Sequence, residues 1–200
     1  MHVETIRSGK KVHWLVASLR TGDGTEVAHC TALRLHNTDV DTVGSVHPVV
    51  EPPPGPDVVV APPLFFLPDR LVGYWSANEL RLVRGAWEEP GPGTAWIRLR
   101  CPVIAGEPVS PIMRVAAAAD FGSGIGNPLR FTKSTAINAE VTIHVHRHPA
   151  GEWIGLESGA WAQPHGVGLA DTLLWDEHGV IGRGTQSLLV ESMSERPPPG

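Results

Sequence analysis

The sequence predicts an α+β fold, an antiparallel sheet with one long central helix. Three observations carry that prediction. Stretches alternating apolar and polar residues recur along much of the 200-residue chain. One segment, Ser110 to Gly122, has start and stop signals around a helical run. The order is strand, strand, helix, then at least three strands, with Gly-containing turns between.

Residues 3–6 and 11–19 (KVHWLVASL) read as strands, TGDG (21–24) as a turn, and EVAHCTALRL (26–35) as the returning strand. EPPPGPDVVVAPP (51–63) then places six prolines in thirteen residues. Each proline removes a backbone donor, so this stretch is a semi-rigid connector and not a helix or central strand. LVGYWSANELRLVRGAW (71–87) and TAWIRLRCPV (94–103) read as extended, with EEPGPG (88–93) turning between them. Ser110 is placed to cap the helix, Pro111 suits its first position, and Gly122 is placed to stop it. Ala116–Ala119 give that helix four small residues in a row, as expected of a helix closely wrapped by its neighbours.

AINAEVTIHVH (136–146) alternates, putting Ile137, Ala139, Val141, Ile143 and Val145 on one face. Asn138, Glu140, Thr142, His144 and His146 take the other. EWIGLESGAWA (152–162), GVGLADTLLWD (166–176) and VIGRGTQSLLVES (180–192) complete the strands, with WDEHG (175–179) turning between the last two. The ERPPPG tail is expected to be disordered.

Composition narrows the functional classes. A net charge of −5, from 16 basic and 21 acidic residues without a basic run, does not suit a nucleic-acid partner. No apolar stretch approaches the ~20 residues of a membrane span, and the N-terminus lacks a hydrophobic signal core. Cys30 and Cys101 match no zinc or redox spacing, so a cytoplasmic protein with two reduced thiols is expected. His144, His146 and His148 invite a metal reading. Yet His148 falls in the strand exit and no nearby Cys, Asp or Glu completes a ligand set, so no metal or other cofactor is expected.

A weak internal echo links RSGKKVHWLVASLRTGDGTEVAHCTALRL to RHPAGEWIGLESGAW…WDEHGVIGRGTQSLLV. Each copy has a basic residue, a Gly-containing turn, a Trp-bearing strand, a D-G or H-G turn and a closing strand. The closing strands register Thr31 over Thr185 and Ala32 over Gln186. The second copy is preceded by strands and a helix that the first copy lacks, roughly 60–80 residues by that yardstick.

AAAADFGSGI (116–125), INAEVTIHVHRHPAGEW (137–153) and VIGRGTQSLLV (180–190) together resemble the acyl-CoA thioesterase II-like family of double-hotdog proteins. The resemblance covers the second half well and residues 3–36 loosely. It implies two hotdogs, each an antiparallel sheet curled around a central helix. The first, residues 1–50, is incomplete, lacking its first strand and helix; a Pro-rich linker (51–68), a second hotdog (69–193) and a disordered tail (194–200) follow. It further implies an acyl-CoA substrate, no metal or redox cofactor, and a homo-oligomer or a partner chain completing the first hotdog. The implied chemistry is thioester hydrolysis by a water held by an aspartate near the helix end, a polar residue early on the next strand and a glutamine on the last strand. These fall on Asp120, Asn138 and Gln186. Asparagine stands where some members have threonine.

The residues also speak for themselves. Asp120 faces the negative end of the helix dipole, a placement that costs ~0.3–1 kcal/mol and so flags function, although a solvated Asp before a loop is the bland alternative. Gln186 alternates with Val180, Gly182, Gly184, Leu188 and Val190, an apolar face on which an amide needs partners. The echo copy has Ala32 there, so a site at Gln186 belongs to the second half alone. Strict alternation puts Asn138 opposite the helix-covering face unless a bulge re-aims it.

Gly122 and Gly124, in a run with Gly126, are candidates for presenting backbone N–H groups to a carbonyl oxygen or phosphate, and Thr185 is assigned with them to substrate binding. Glycines at a helix exit also serve as plain caps. Thr132, Ser134 and Thr135 are nearby hydroxyls. No G-x-S-x-G elbow opens a helix, which disfavours a Ser/His/Asp hydrolase. The rivals to a thioesterase are a non-catalytic acyl-ligand-binding or assembly subunit, and an enoyl-thioester hydratase, which needs a His/Asp pair where the helix offers only Asp120.

Overall fold

The computed structural model describes residues 1–44, 46–59, 73–87, 89–130 and 133–193. They form two compact units, Met1–Val49 and Val50–Gly200. The first is a three-stranded antiparallel meander of β1 (His2–Ser8), β2 (Val12–Arg20) and β3 (Glu26–Leu35). Its β2–β3 turn is held locally, with Asp23 accepting from the Thr25 N–H at 3.1 Å.

The second unit contains β4 (Asn78–Arg84), β5 (Gly93–Leu99), α1 (Pro111–Ala119), α2 (Gly122–Ile125), β6 (Ser134–Val145), β7 (Trp153–Ala162), β8 (Val167–Asp176) and β9 (Gly179–Ser192). Its six strands lie in the order β4-β5-β7-β8-β9-β6, antiparallel throughout and open between β4 and β6.

Ser110 caps α1 as expected, its hydroxyl accepting from the Met113 N–H at 3.3 Å, an interaction typically worth ~1 kcal/mol. Val115, Ala118 and Phe121 pack on Ile97 of β5, Ile154 and Leu156 of β7, and Leu174 of β8. Of the four alanines only Ala118 and Ala119 are buried while Ala116 is exposed, so the helix has one packed stripe and is not wrapped all round. Gly122 does not stop the helical path. α1 ends at Asp120, and Gly122 opens the four-residue α2.

The segment 71–87 forms a strand only from Asn78; residues 73–77 are a turn, and 71–72 lie outside the described residues. The 94–103 strand ends at Leu99. In 51–63, Pro53 and Pro56 are buried, and the Trp96 indole donates to the Pro54 carbonyl at 2.7 Å. Behind this contact Trp96, Trp153, Trp175 and Val83 form a second apolar cluster, with Arg81 and Arg98 over the Trp153 ring at 4.5 and 4.8 Å.

The internal echo has a structural counterpart. The meanders β1-β2-β3 and β7-β8-β9 share their strand order, and each has a one-residue bulge just after its last turn. Val27 and Ile181 are the residues skipped in the pairing. Ala32 and Gln186 each lie five positions beyond, so the sequence register of the closing strands holds. Trp14 does not correspond to Trp153: it sits on the middle strand β2, whereas Trp153 is on β7. The Ile181 bulge also moves Val180 off the Gln186 face, turning Ile181 into the core while Val180 joins the tryptophan cluster.

R-x-P-x-G-E-W proves to be an architectural device. The Arg147 guanidinium donates two hydrogen bonds to Asp176, at 2.6 and 2.7 Å, and one to the Gly179 carbonyl. Asp176 is fully buried and also accepts from the Ala150 and His178 N–H groups at 2.9 Å. Burial raises its pKa, but Arg147 and these amides outweigh that and hold it far below its ordinary 3.8. His144, His146 and His148 are all exposed, and the described residues contain no group of three or more His, Cys, Asp or Glu arranged to hold a metal.

Arg147→Met leaves the Asp176 carboxylate buried without its cation and should lower the unfolding free energy by about 3 kcal/mol, measured by chemical denaturation. The folded-state pKa of Asp176 is depressed, so its contribution is complete above pH 3.8 and fades as the pH falls below it. Asp176→Asn should flatten that acid limb.

Candidate active site

The site forms where α1 ends. Asp120 is the C-cap residue, still in helical geometry at φ −65°, and the chain passes through Phe121 directly into α2. A break in a helix leaves backbone groups without intrahelical partners. Side chains from three strands hold the break: two groups get their partner from Gln186, and the Gly122 carbonyl, which accepts from the Gly126 N–H at 3.0 Å, gains a second donor. From β9, the buried Gln186 accepts from the Ser123 N–H at 2.7 Å and donates to the Asp120 carbonyl at 3.1 Å. From β7, the Ser158 hydroxyl donates to the Gly122 carbonyl at 2.7 Å; from β8, Thr172 Oγ1 lies 2.9 Å from Ser158 Oγ. Ser158 and Thr172 are buried.

Gly122 is required by this crowding. A Cβ there would lie 2.6 Å from Thr172 Oγ1 and 3.0 Å from Gln186 Oε1. At Gly126 a Cβ would meet the Ser158–Gly159 backbone at 2.6 Å, so α2 lies directly against β7.

The second half of the site comes from β6. Its pairing with β9 runs Asn138↔Leu188 and then Glu140↔Ser187, leaving Ala139 as an extra residue. This bulge reverses the facing of everything before it. Val141, Ile143 and Val145 are half-buried beyond the bulge, whereas Ile137 before it is exposed. Asn138 therefore faces inward and not with His144, as strict alternation had it, and its Nδ2 donates to Asp120 Oδ1 at 2.6 Å. Glu140 fills the gap the bulge makes, accepting from both the N–H and the hydroxyl of Ser187 and from Thr142. The Ser187 hydroxyl first, then Thr142, holds the Glu140 carboxyl below its ordinary value despite slight burial.

Asp120 is exposed, and its second carboxylate oxygen has no partner among the described residues. Beside it, Tyr74 stacks on Phe121 with ring centres 4.7 Å apart, and Trp75 meets the same ring edge-on at 5.0 Å. The Tyr74 hydroxyl donates to the Ala117 carbonyl. Burial, and secondarily the charge of Asp120, push its phenol well above its ordinary 10, so it stays a neutral donor.

Of the sequence-predicted residues, Asp120, Asn138, Gln186 and Gly122 are brought together. Gly124 borders open space and its N–H is engaged by the Phe121 carbonyl at 3.0 Å. Thr185 pairs with Asp171 and Thr142 on the sheet face opposite Gln186. Thr132 lies outside the described residues. Ser158, Thr172 and Tyr74 went unpredicted. A signal for the first two was present: each interrupts an inward-facing apolar run, Ile154-Leu156-Ser158-Ala160 and Ala170-Thr172-Leu174.

The sequence profile of the acyl-CoA thioesterase C-terminal domain matches residues 45–190. The chain belongs to that family. As a family member it is similar in fold to the acyl-CoA thioesterase II TesB2 of Mycobacterium marinum, at 17% identity and TM-score 0.67 over 97% of this chain and 74% of that one. The TesB protein of Mycobacterium avium subspecies paratuberculosis aligns at 12% identity and TM-score 0.64 over 94% of this chain and 70% of its own. A conserved hot-dog-fold protein of Alicyclobacillus acidocaldarius aligns at 17% identity and TM-score 0.65, over 94% and 72%. No curated protein matches in sequence. The thioesterase fold of this family member is thus a hotdog with an open sheet. None of its described helices is long and apolar enough to cross a membrane.

Gly122→Ala forces Thr172 and Gln186 apart and should destabilise the protein by about 1–3 kcal/mol, read by denaturant titration. A crystal structure of the variant should place Gln186 Oε1 beyond hydrogen-bond reach of the Ser123 N–H.

Proposed function

We propose that the protein hydrolyses the thioester of an acyl-CoA, releasing the free acid and CoA, with Asp120 as general base. The observation that carries this reading is the 2.6 Å hydrogen bond from Asn138 to one Asp120 oxygen. It joins residues eighteen positions apart, depends on a bulge, and leaves the other carboxylate oxygen exposed and open to a water. Asp120 accepts a proton from that water as its oxygen bonds to the thioester carbonyl carbon. The tetrahedral oxyanion then collapses, the C–S bond breaks, and the CoA sulfur leaves with the proton returned by Asp120.

Asn138 orients the carboxylate and keeps its oxygen or second N–H for the water. Gln186 holds the backbone just after Asp120, through the Asp120 carbonyl and the Ser123 N–H, and retains one N–H without a partner among the described residues, a donor for the water or the carbonyl oxygen. Gly122 contributes through shape, by letting Gln186 and Thr172 approach. Gly124 and Thr185, set apart from this group, are proposed to contact the more distant parts of the substrate. The exposed apolar residues Trp161, Leu169, Val167, Leu189 and Ile137, neighbours across β7, β8, β9 and β6, suit association with a second copy or a partner chain.

A non-catalytic acyl-binding subunit is the second reading, favoured by one observation: both heteroatoms of Gln186 bond the backbone. Turnover separates the two. CoA release should be measured with short, medium and long acyl-CoAs. Asp120→Asn should lower kcat by about 10²–10⁴-fold with KM changed little, the range set by loss of a general base. Gln186→Ala should lower kcat as well. Binding of acyl-CoA without turnover by the folded wild type contradicts the hydrolase and supports the second reading.

A further inference from the structure

Ser158 and Thr172 are buried behind the helix break and, beside Gln186, form a polar pair among the apolar residues of the inner sheet face. Their donor and acceptor roles follow from chemistry. The carbonyls of Gly122, at 2.7 Å, and Asp171, at 3.5 Å, can only accept, so the single Ser158 hydroxyl hydrogen goes to the nearer, Gly122. The 2.9 Å contact between the two hydroxyls must then be Thr172 donating to Ser158. The relay runs one way, from Thr172 to Ser158 to the Gly122 carbonyl.

That carbonyl belongs to the same short stretch that Gln186 holds through the Asp120 carbonyl and the Ser123 N–H. Residues 120–123 are therefore fixed from β7, β8 and β9 at once, at the point where a helix end would otherwise fray. Thr172 Oγ1 and Gln186 Oε1 also both lie where a Cβ on residue 122 would go, so Thr172 borders the space into which Gln186 fits.

We infer that Ser158 and Thr172 are positioning residues for the hydrolysis: through Gly122 they fix the direction in which Asp120 presents its free oxygen. This rests on the thioesterase reading proposed above. A shift of about 1 Å in a catalytic group costs on the order of 10²-fold in rate, while substrate binding need not change. Apolar packing would hold the helix on the sheet equally well, but would not orient residue 122.

The test is steady-state CoA release by Thr172→Val, Ser158→Ala and Thr172→Ser, with kcat expressed per folded enzyme. Thr172→Val and Ser158→Ala should each lower kcat by about 10–100-fold and leave KM within about twofold. Thr172→Ser, which keeps the donor, should recover to within about threefold of wild type. Wild-type kcat in folded Thr172→Val overturns the role and leaves the thioesterase reading standing. If Thr172→Val does not fold, Ser158→Ala and Thr172→Ser carry the same comparison; failure of both hydroxyl deletions to fold makes the pair merely structural and also overturns the role. Absence of turnover by folded wild type on every acyl-CoA overturns the thioesterase reading and this role together.

Discussion

A helix that breaks one turn before its end exposes carbonyl and N–H groups that must find partners or weaken the fold. Here one side chain, Gln186, answers on both sides of the break. Its carbonyl oxygen takes the Ser123 N–H and its amide nitrogen gives to the Asp120 carbonyl. Because one partner only donates and the other only accepts, the amide has a single permitted orientation. Everything else in the site is arranged around it. Gly122 must lack a side chain, Ser158 and Thr172 close the third side, and Asp120 is held by its carbonyl to Gln186 and by its carboxylate to Asn138.

The other requirement is met by irregularity. A perfectly alternating β6 would send Asn138 to the outer face, and one extra residue at Ala139 brings it back to Asp120. Glu140 then covers the Ser187 N–H that the interrupted ladder would leave unpaired. A second bulge, at Ile181, places one side chain in the core and its neighbour in the tryptophan cluster. The same bulge occurs at Val27 in the first unit, with Ala32 in place of Gln186. The two meanders share a strand plan, but only the second carries the amide that a broken helix needs.

What was legible in the sequence follows from this division. Strand periodicity, the Ser110-Pro111 helix start and the D-G and H-G turns are local signals, and they gave the architecture and most element boundaries. Asp120 and Gln186 stood out because each sits against its local preference, a carboxylate at a helix C-terminus and an amide on an apolar face. The placement of Asn138 depended on whether a bulge formed, which is decided by pairing with a strand about fifty residues away in sequence and has no signature in β6 itself. Gly122 looked like a helix stop because glycine ends helices often, whereas its role here is set by atoms on β8 and β9. Ser158 and Thr172 were visible as polar breaks in apolar runs, and only the relay between them gives those breaks a meaning.

The central claim is that Asp120 and Asn138 together hold a water against a thioester carbon. A crystal structure with a non-hydrolysable acyl-CoA thioether tests it most directly. A water is expected within hydrogen-bond reach of the free Asp120 oxygen and about 3–3.5 Å from the carbon that replaces the carbonyl, with the Asn138–Asp120 bond intact. An analogue bound with its sulfur remote from Asp120, or an Asn138 side chain turned away from the carboxylate in the complex, would contradict it.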